Sequence, residues 1–455
     1  MQKYNELIDI DISQKNILIR EDLNVPIKDN KIANDARIKA AAPTINYALS
    51  KGAKIAIISH LGRPTEGEFE EKYSLKIVAE RLSEILNKKV YFESRPLDTK
   101  SPEYKNDLTL YENTRFLIGE KSGDENLAKK ISKNCDVFVM DAFGSSHREH
   151  SSTFTISKYV PICCGGLLLI NEIKNINKIL KNPKKPVLSI IGGSKVSTKL
   201  NTLKKLMNKV DTIIVGGGIA NTFLLSSKYP IGKSLAEKNM VSDAMKIFDL
   251  AQKNNVYMPL PEDVVCENIK EIQNKNIRDV SKEDMIKDIG SKTSRIYEKL
   301  IEEAGTILWN GPVGVFEEAA FENGTKNIAK SISETNALTI AGGGDTISAI
   351  EKFISVKKLD YVSTGGGAFL EFLEGKDLPG IKIIRKLSPD LPLLIPGVGA
   401  QGGDLEKSVK LGNQSSCALV NISRGISFAG DMSEKTIRSS AEKYVSKMQS
   451  ILNGK

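Results

Sequence analysis

Cysteine is scarce in this chain, and its placement excludes two classes of protein at once. Cys135, Cys163, Cys164, Cys266 and Cys417 are odd in number and show no C-x-x-C spacing, which argues against a disulfide framework and against a zinc site. A reducing compartment is expected. No apolar run reaches the roughly 18 residues that a membrane helix requires, and the stretch from Met1 to Glu6 has no apolar core of signal-peptide type. A soluble, cytoplasmic protein without membrane partners is expected. Excess charge of one sign is also small: 65 basic against 56 acidic residues, with no Lys/Arg block and no aromatics interleaved with basic residues. That balance suits small anions and argues against a nucleic-acid surface. Two nucleotide signatures are missing as well. There is no G-x-G-x-x-G after the first strand with an acid about twenty residues on, which argues against a nicotinamide oxidoreductase. The nearest approach to a Walker loop, Ile231-Gly232-Lys233-Ser234, has Ser227 where the first glycine belongs.

Glycine, by contrast, falls in a pattern. Gly192-Gly193-Ser194-Lys195, Gly216-Gly217-Gly218, Asn310-Gly311-Pro312-Val313-Gly314, Ala341-Gly342-Gly343-Gly344-Asp345-Thr346 and Gly365-Gly366-Gly367 each end a short apolar run. Glycines between a strand and a helix leave bare N–H groups at a helix N-terminus, where phosphate binds. Five such clusters on successive parallel strands would gather along the carboxyl edge of one sheet, where α/β folds bind ligands. Asp345 adds a carboxylate able to hold Mg²⁺ against phosphate oxygens, and Thr346 a hydroxyl.

A chain of 455 residues predicts two or three domains, and alternating apolar runs and amphipathic stretches predict parallel sheets covered by helices. The first series of strands is expected at Ile17 to Arg20, Lys54 to Ser59, Val90 to Glu93, Leu108 to Tyr111 and Asp136 to Met140, with a helix at Leu75 to Leu86. The second is expected at Val187 to Ile191, Thr212 to Val215, Val256 to Pro259, Thr306 to Trp309, Leu338 to Ile340 and Tyr361 to Ser363. A connecting helix is expected from Gly166 to Leu180, leaving a cleft between two carboxyl edges.

The two halves differ in chemistry. All three histidines, His60, His147 and His150, lie in the first half beside arginines at strand ends. Arg20, Arg63, Arg115 and Arg148 follow strands, and Arg37 is expected in the loop after the first. Converging guanidinium groups grip phosphate and carboxylate bidentately, so this half predicts a pocket for a small polyanion. The second half supplies Lys195 and Lys199, four apart and expected on one helical face at a helix N-terminus, where they could neutralise a phosphoryl group in transfer.

Taken in order, Arg20-x-Asp22-Leu23-Asn24-Val25-Pro26, Ser59-His60-Leu61-Gly62-Arg63-Pro64, Asp141-Ala142-Phe143-Gly144, Gly192-Gly193-Ser194-Lys195-Val196-Ser197, Trp309-Asn310-Gly311-Pro312 and Gly342-Gly343-Gly344-Asp345-Thr346 resemble phosphoglycerate kinase, from about residue 5 to about 380. The resemblance implies a glycolytic phosphotransferase with two Rossmann-like parallel-sheet domains, 1–165 and 166–380, joined by the hinge helix. It implies 3-phosphoglycerate or 1,3-bisphosphoglycerate on Asp22, Leu23, Asn24, Arg37, His60, Leu61, Gly62, Arg63, Arg115 and Arg148. It implies ATP or ADP on Lys199, Gly311, Pro312, Glu317, Gly343, Gly344, Asp345 and Thr346, with Mg²⁺ on Asp345. Arg37, Lys195 and Lys199 are the implied catalytic residues, and a monomer is the implied state.

Residues 381–455 extend beyond that resemblance. Leu393 to Asp404 and Ala418 to Ile426 each read as a strand, a loop and a helix, the βαβα pattern of a partial TIM barrel. Their wording resembles the carboxyl end of orotidine 5'-phosphate decarboxylase, which would make Gln401, Arg424 and Gly425 a phosphate grip left from a gene fusion. The D-x-K-x-x-D pattern that carries that family's catalytic lysine and aspartates is absent, so the tail is not expected to decarboxylate.

Overall fold

Apolar strands that are buried on both faces demand helices on both sides of a parallel sheet, and a computed structural model of the chain has two such sheets. It describes residues 4–181, 183–385, 393–398, 402–412 and 418–452. Residues from Glu6 to Ile383 form one unit, and those from Ile384 onward form another together with the N-terminal residues up to Asn5.

In the larger unit the first sheet has six parallel strands in the order Tyr91–Glu93, Leu108–Tyr111, Lys54–Ile58, Asn16–Arg20, Val137–Met140, Ile162–Gly165. The chain leaves Asn16–Arg20 toward one side and returns to its other side at Val137–Met140, so the strand order reverses there. Loops diverge at such a point and open a crevice. Ile17, Ile19, Ile55, Ile57, Val137 and Val139 fill the core below it together with Ile38, Ile45, Val78 and Leu82 from the covering helices Ala36–Ser50 and Lys76–Leu86.

The second sheet has five parallel strands, ordered Thr212–Val215, Val187–Ile191, Thr306–Asn310, Leu338–Gly342, Tyr361–Ser363. Its reversal falls between Val187–Ile191 and Thr306–Asn310, with Leu188, Ile190, Ile307, Trp309, Tyr297 and Ile328 in its core. The helix Leu167–Lys181 joins the two sheets. Its first turn is fastened to the first sheet, Leu167 N–H donating to Thr44 Oγ1 at 3.0 Å and Leu169 N–H to Asp141 Oδ1 at 2.9 Å.

Three expectations need correction. Val256 to Pro259 is not a strand; Tyr257 makes a single bridge to Thr212, because Pro259 and, two residues further on, Pro261 have no N–H with which to extend a ladder. The unforeseen strands Asp263–Glu267, Ile272–Asn276 and Met285–Ile289 form an antiparallel sheet instead, with Asp263–Glu267 in the middle and a polar edge strand, Ile272–Asn276, that lacks the apolar run by which strands are read. Arg37 lies in the first turn of Ala36–Ser50, not in a loop.

The smaller unit pairs Leu393–Ile395 with Ala418–Val420 in parallel. Helices follow at Leu405–Gly412, Ser423–Ser427 and Glu434–Leu452. Leu394, Leu419 and Phe428 are more than 60% exposed, so this unit leaves much of its apolar surface in water.

Candidate functional site

The first wall is built on the carboxyl ends of the six-stranded sheet. Asp22 follows the Asn16–Arg20 strand and accepts from Arg37 Nη1 at 3.2 Å. The same guanidinium donates to Asn24 O at 2.9 Å and, through Nη2, to Thr364 O at 3.2 Å, at the end of the Tyr361–Ser363 strand of the second sheet. Arg37 therefore touches both walls. Asn24 Oδ1 accepts the Gly62 N–H at 2.9 Å, and Gly62 O accepts from Arg115 Nη1. Gly62 has φ +62°, and an added Cβ would lie 2.3 Å from the Tyr73 ring, so glycine is required there. Leu23 and Leu61 turn into the core and offer only backbone. Arg63 is exposed, without a hydrogen bond or ion pair among the described residues, and Arg148 donates to His147 Nε2 at 3.2 Å.

The three imidazoles do not supply this wall's charge. Burial, then Arg20 and Arg148, pushes His60 well down and His150 to about 4; burial also lowers His147. All three are neutral near pH 7, so the positive potential comes from guanidinium groups. Arg20 is not one of those facing the cleft. It is 1% exposed and spends its donors on Ser152 Oγ, Glu21 O and the His60 ring.

The second wall is the glycine edge. All five clusters lie at carboxyl ends of the five strands. Close backbone approach dictates glycine at the reversal point: a Cβ on Gly192 would sit 1.8 Å from Pro312 O. Gly311, at φ +105°, gives its N–H to Thr346 Oγ1 at 2.7 Å, and that hydroxyl donates to Gly342 O at 2.9 Å. Thr346 is buried and committed to holding the turn. Gly344 opens the helix Gly344–Phe353, and a Cβ added there meets nothing within 4 Å. Asp345, in the same first turn, is exposed and makes no hydrogen bond or ion pair among the described residues.

Lys195 and Lys199 do not share a helical face. The helix is Leu200–Leu206, with Lys199 in its N-cap position and Lys195 in the turn before it. Between them Ser197 gives its N–H and its hydroxyl to the Glu237 carboxylate at 2.8 and 2.6 Å, so the segment is not helical and the four-residue spacing carries no helical meaning. Lys195 is exposed. Lys199 is largely buried, which lowers its ammonium to about 8, and Nζ donates to Asn310 Oδ1. A cavity of about 210 Å³ opens on the same glycine edge, lined by Gly193, Gly217, Gly218, Pro312, Glu317 and Asp345. Its floor includes Asp288, which accepts from the Gly324 N–H at 2.7 Å and whose carboxyl is raised to about 7 by burial. Neither Thr364 nor Asp288 carries a sequence signal of its own: Thr364 immediately precedes the Gly365 cluster, and Asp288 lies in the strand Met285–Ile289, away from every glycine cluster.

An aspartate beside N–H groups that attract phosphate repels that phosphate unless a cation lies between them. Asp345, with both oxygens uncommitted, fits a hard divalent ion such as Mg²⁺. Among the described residues no group of three or more His, Cys, Asp or Glu could hold a metal, so such an ion would take its remaining ligands from phosphate and water.

In the smaller unit Arg424 is exposed, and Gly425 packs under Tyr444, whose hydroxyl an added Cβ would meet at 2.6 Å. Gln401 lies outside the described residues.

The sequence matches the family profile of phosphoglycerate kinase over residues 7–376. It is 50% identical over 388 residues to the phosphoglycerate kinase of Francisella philomiragia, covering 84% of this chain and 98% of that one. It is 50% identical over 385 residues to that of Legionella pneumophila, covering 84% and 97%. The solved phosphoglycerate kinase of Coxiella burnetii superposes with a TM-score of 0.76 at 46% identity, covering 84% of this chain and 99% of that one. The Pyrococcus horikoshii enzyme gives 0.73 at 30% identity, covering 84% and 98%. With two parallel sheets, an arginine-rich wall and a glycine-lined wall in this arrangement, the chain belongs to the phosphoglycerate kinase family.

Proposed function

We propose that this chain reversibly transfers a phosphoryl group between 1,3-bisphosphoglycerate and ADP, giving 3-phosphoglycerate and ATP. Arg37 carries the reading: one guanidinium bonds Asp22 and Asn24 on the first wall and Thr364 on the second. Asp22, Asn24, Gly62, Arg63, Arg115 and Arg148, with His60 behind them, hold the triose. Gly311, Pro312, Glu317, Gly343 and Gly344 hold the nucleotide.

Phosphoryl transfer asks little covalent chemistry of a protein. It asks for in-line placement and for cancellation of charge on the equatorial oxygens. Arg37 from one side and Lys199 from the other provide that cancellation, with Lys195 at the edge. No general base is needed, because the attacking group is already an oxyanion. Mg²⁺ held by Asp345 would shield the nucleotide phosphates from one another. Bending about Leu167–Lys181 brings the two substrates together and excludes water, which keeps the acyl phosphate from hydrolysis.

We further propose the division 1–165, 166–380 and 381–455, a monomer, and a cytoplasmic location without nucleic-acid partners. No helix among the described residues is long and apolar enough to cross a membrane. The tail reads as a fused fragment of a decarboxylase barrel, and its Gln401, Arg424 and Gly425 as the remnant of a phosphate grip. A coupled assay of ATP formation from 1,3-bisphosphoglycerate, on the full chain and on Arg37→Ala, tests the main reading. A loss of about a hundredfold in kcat is expected, from about 3 kcal/mol per donor at a developing charge. Equal rates would remove Arg37 from the site.

A further inference from the structure

Two carboxyl groups outside the set above meet beneath the first wall. The strands Asn16–Arg20 and Val137–Met140 run parallel with Arg20 opposite Met140, so the next residues, Glu21 and Asp141, stand side by side at the carboxyl edge. The Asp141 N–H donates to Arg20 O at 3.0 Å. Both side chains are fully buried and directed at each other. Asp141 Oδ1 accepts the Leu169 N–H at 2.9 Å, in the first turn of the hinge helix. Glu21 Oε1, Glu21 Oε2 and Asp141 Oδ2 have no donor at all. Three buried carboxylate oxygens in contact without a donor would cost several kcal/mol if both groups were ionised, and one proton between them removes most of that cost.

We infer that Glu21 and Asp141 share a proton, and that the neutral Glu21 carboxyl is a positioning residue that holds Asp141 as the cap of the hinge helix. The position suits the role. Glu21 precedes Asp22, the partner of Arg37, so the same two residues of chain reach the triose wall and, through Asp141, the element about which the lobes bend. Gly166 leaves room for the cap: a Cβ there would lie 2.3 Å from Asp141 Oδ1. The inference rests on the phosphoryl-transfer reading only for its kinetic readout.

The surroundings are consistent with one proton retained near neutrality. On its own strand Glu21 faces Arg20, which favours its charge, and Asp22, which opposes it; burial dominates and raises it well above the usual carboxylate range. Asp141 faces the Thr44 hydroxyl from Ala36–Ser50, the Leu168 and Leu169 N–H groups of the hinge helix, and Cys164 on the Ile162–Gly165 strand. Burial lifts it to about 6, against those donors. The donors favour the ion on Asp141, which leaves the proton with Glu21. Because both groups are raised in the folded protein, their contribution is full below the unfolded carboxylate values and is lost as pH rises through the folded ones.

The test compares Glu21→Gln, which keeps a donor in the same shape, with Glu21→Ala, which removes it. In the parent, an infrared carbonyl band of a protonated carboxyl is expected at pH 7 in addition to that of Asp288, and parent-minus-variant difference spectra should show it lost in both variants. Thermal stability should fall from pH 6 to 9 in the parent and less steeply in Glu21→Gln. Glu21→Ala should lose about tenfold in kcat with little change in KM, and Glu21→Gln should recover to within about twofold of the parent. A parent-minus-variant difference spectrum without the band, or a parent whose stability slope matches that of Glu21→Gln, would overturn the shared proton whatever the substrate. A Glu21→Ala variant as active as Glu21→Gln would overturn the positioning role while leaving the kinase reading intact.

Discussion

If the Lys199 ammonium cancels charge on the group in transfer, the reaction must follow its protonation. Burial lowers that ammonium to about 8, against the attraction of Asp345 and Glu374. In the free enzyme about nine-tenths of Lys199 is cationic at pH 7 and about one-tenth at pH 9. The quantity kcat/KM reports the free enzyme, so it should fall close to tenfold between pH 7 and 9. Lys199→Arg keeps the charge throughout, because guanidinium does not titrate there, and should remove most of that fall at some cost in absolute rate. Lys199→Met should lower kcat by about a hundredfold at pH 7, the size expected for losing one preorganised cation. The same substitution should raise stability. A lysine whose folded value is depressed binds fewer protons folded than unfolded, so its burial opposes folding until pH climbs from about 8 toward 10.5. The assay is a pH series of kcat/KM for both substrates, beside thermal melts of parent and variants. A Lys199→Arg variant with the parental alkaline fall, or a Lys199→Met variant of near-parental rate, would refute the reasoning.

Other outcomes follow from the same geometry. Gly344→Ala should fold normally yet weaken nucleotide binding at least tenfold, because the space beside Gly344 is open to ligand only; Gly192→Ala should instead fail in thermal melts, its Cβ colliding with Pro312 O. Isothermal titration of both variants with ADP separates the two kinds of glycine. Asp288, raised to about 7 by burial, gains charge in the cavity floor as pH rises, so ADP affinity should weaken from pH 6 to 8 in the parent and stay flat in Asp288→Asn. Deleting residues 385–455 should leave kcat within about twofold, as expected if the proposed fragment takes no part in the transition state; a large loss would show that the tail supports the kinase fold.

Most of the architecture was legible because its signals are local. Ile17 to Arg20, Thr212 to Val215 and Tyr361 to Ser363 are apolar runs closed by glycine or polar turns, and each is a strand at nearly those bounds. The strand Ile272–Asn276 was not legible, since IQNKN has little apolar content and is held by pairing with Asp263–Glu267. In the site, the glycine edge could be read because glycine is needed wherever backbones nearly touch. The roles of arginines could not be sorted by sequence. Arg20 and Arg115 both follow strands and both are buried, yet Arg20 gives its donors to Ser152, Glu21 and His60 while Arg115 reaches Gly62 of the wall, a distinction that depends on residues up to 132 positions apart. Lys195 and Lys199 misled for a related reason: a spacing of four has meaning only inside a helix, and the helix starts after them.

The most direct test follows the terminal phosphate itself. ATP labelled at its γ-phosphate, incubated with 3-phosphoglycerate and Mg²⁺, should yield label in the acyl phosphate of 1,3-bisphosphoglycerate, with almost none released as inorganic phosphate while the site is saturated. Label appearing mainly as free phosphate, or no transfer to the triose, would contradict a closing cleft in which an arginine wall and a glycine wall share one phosphoryl group.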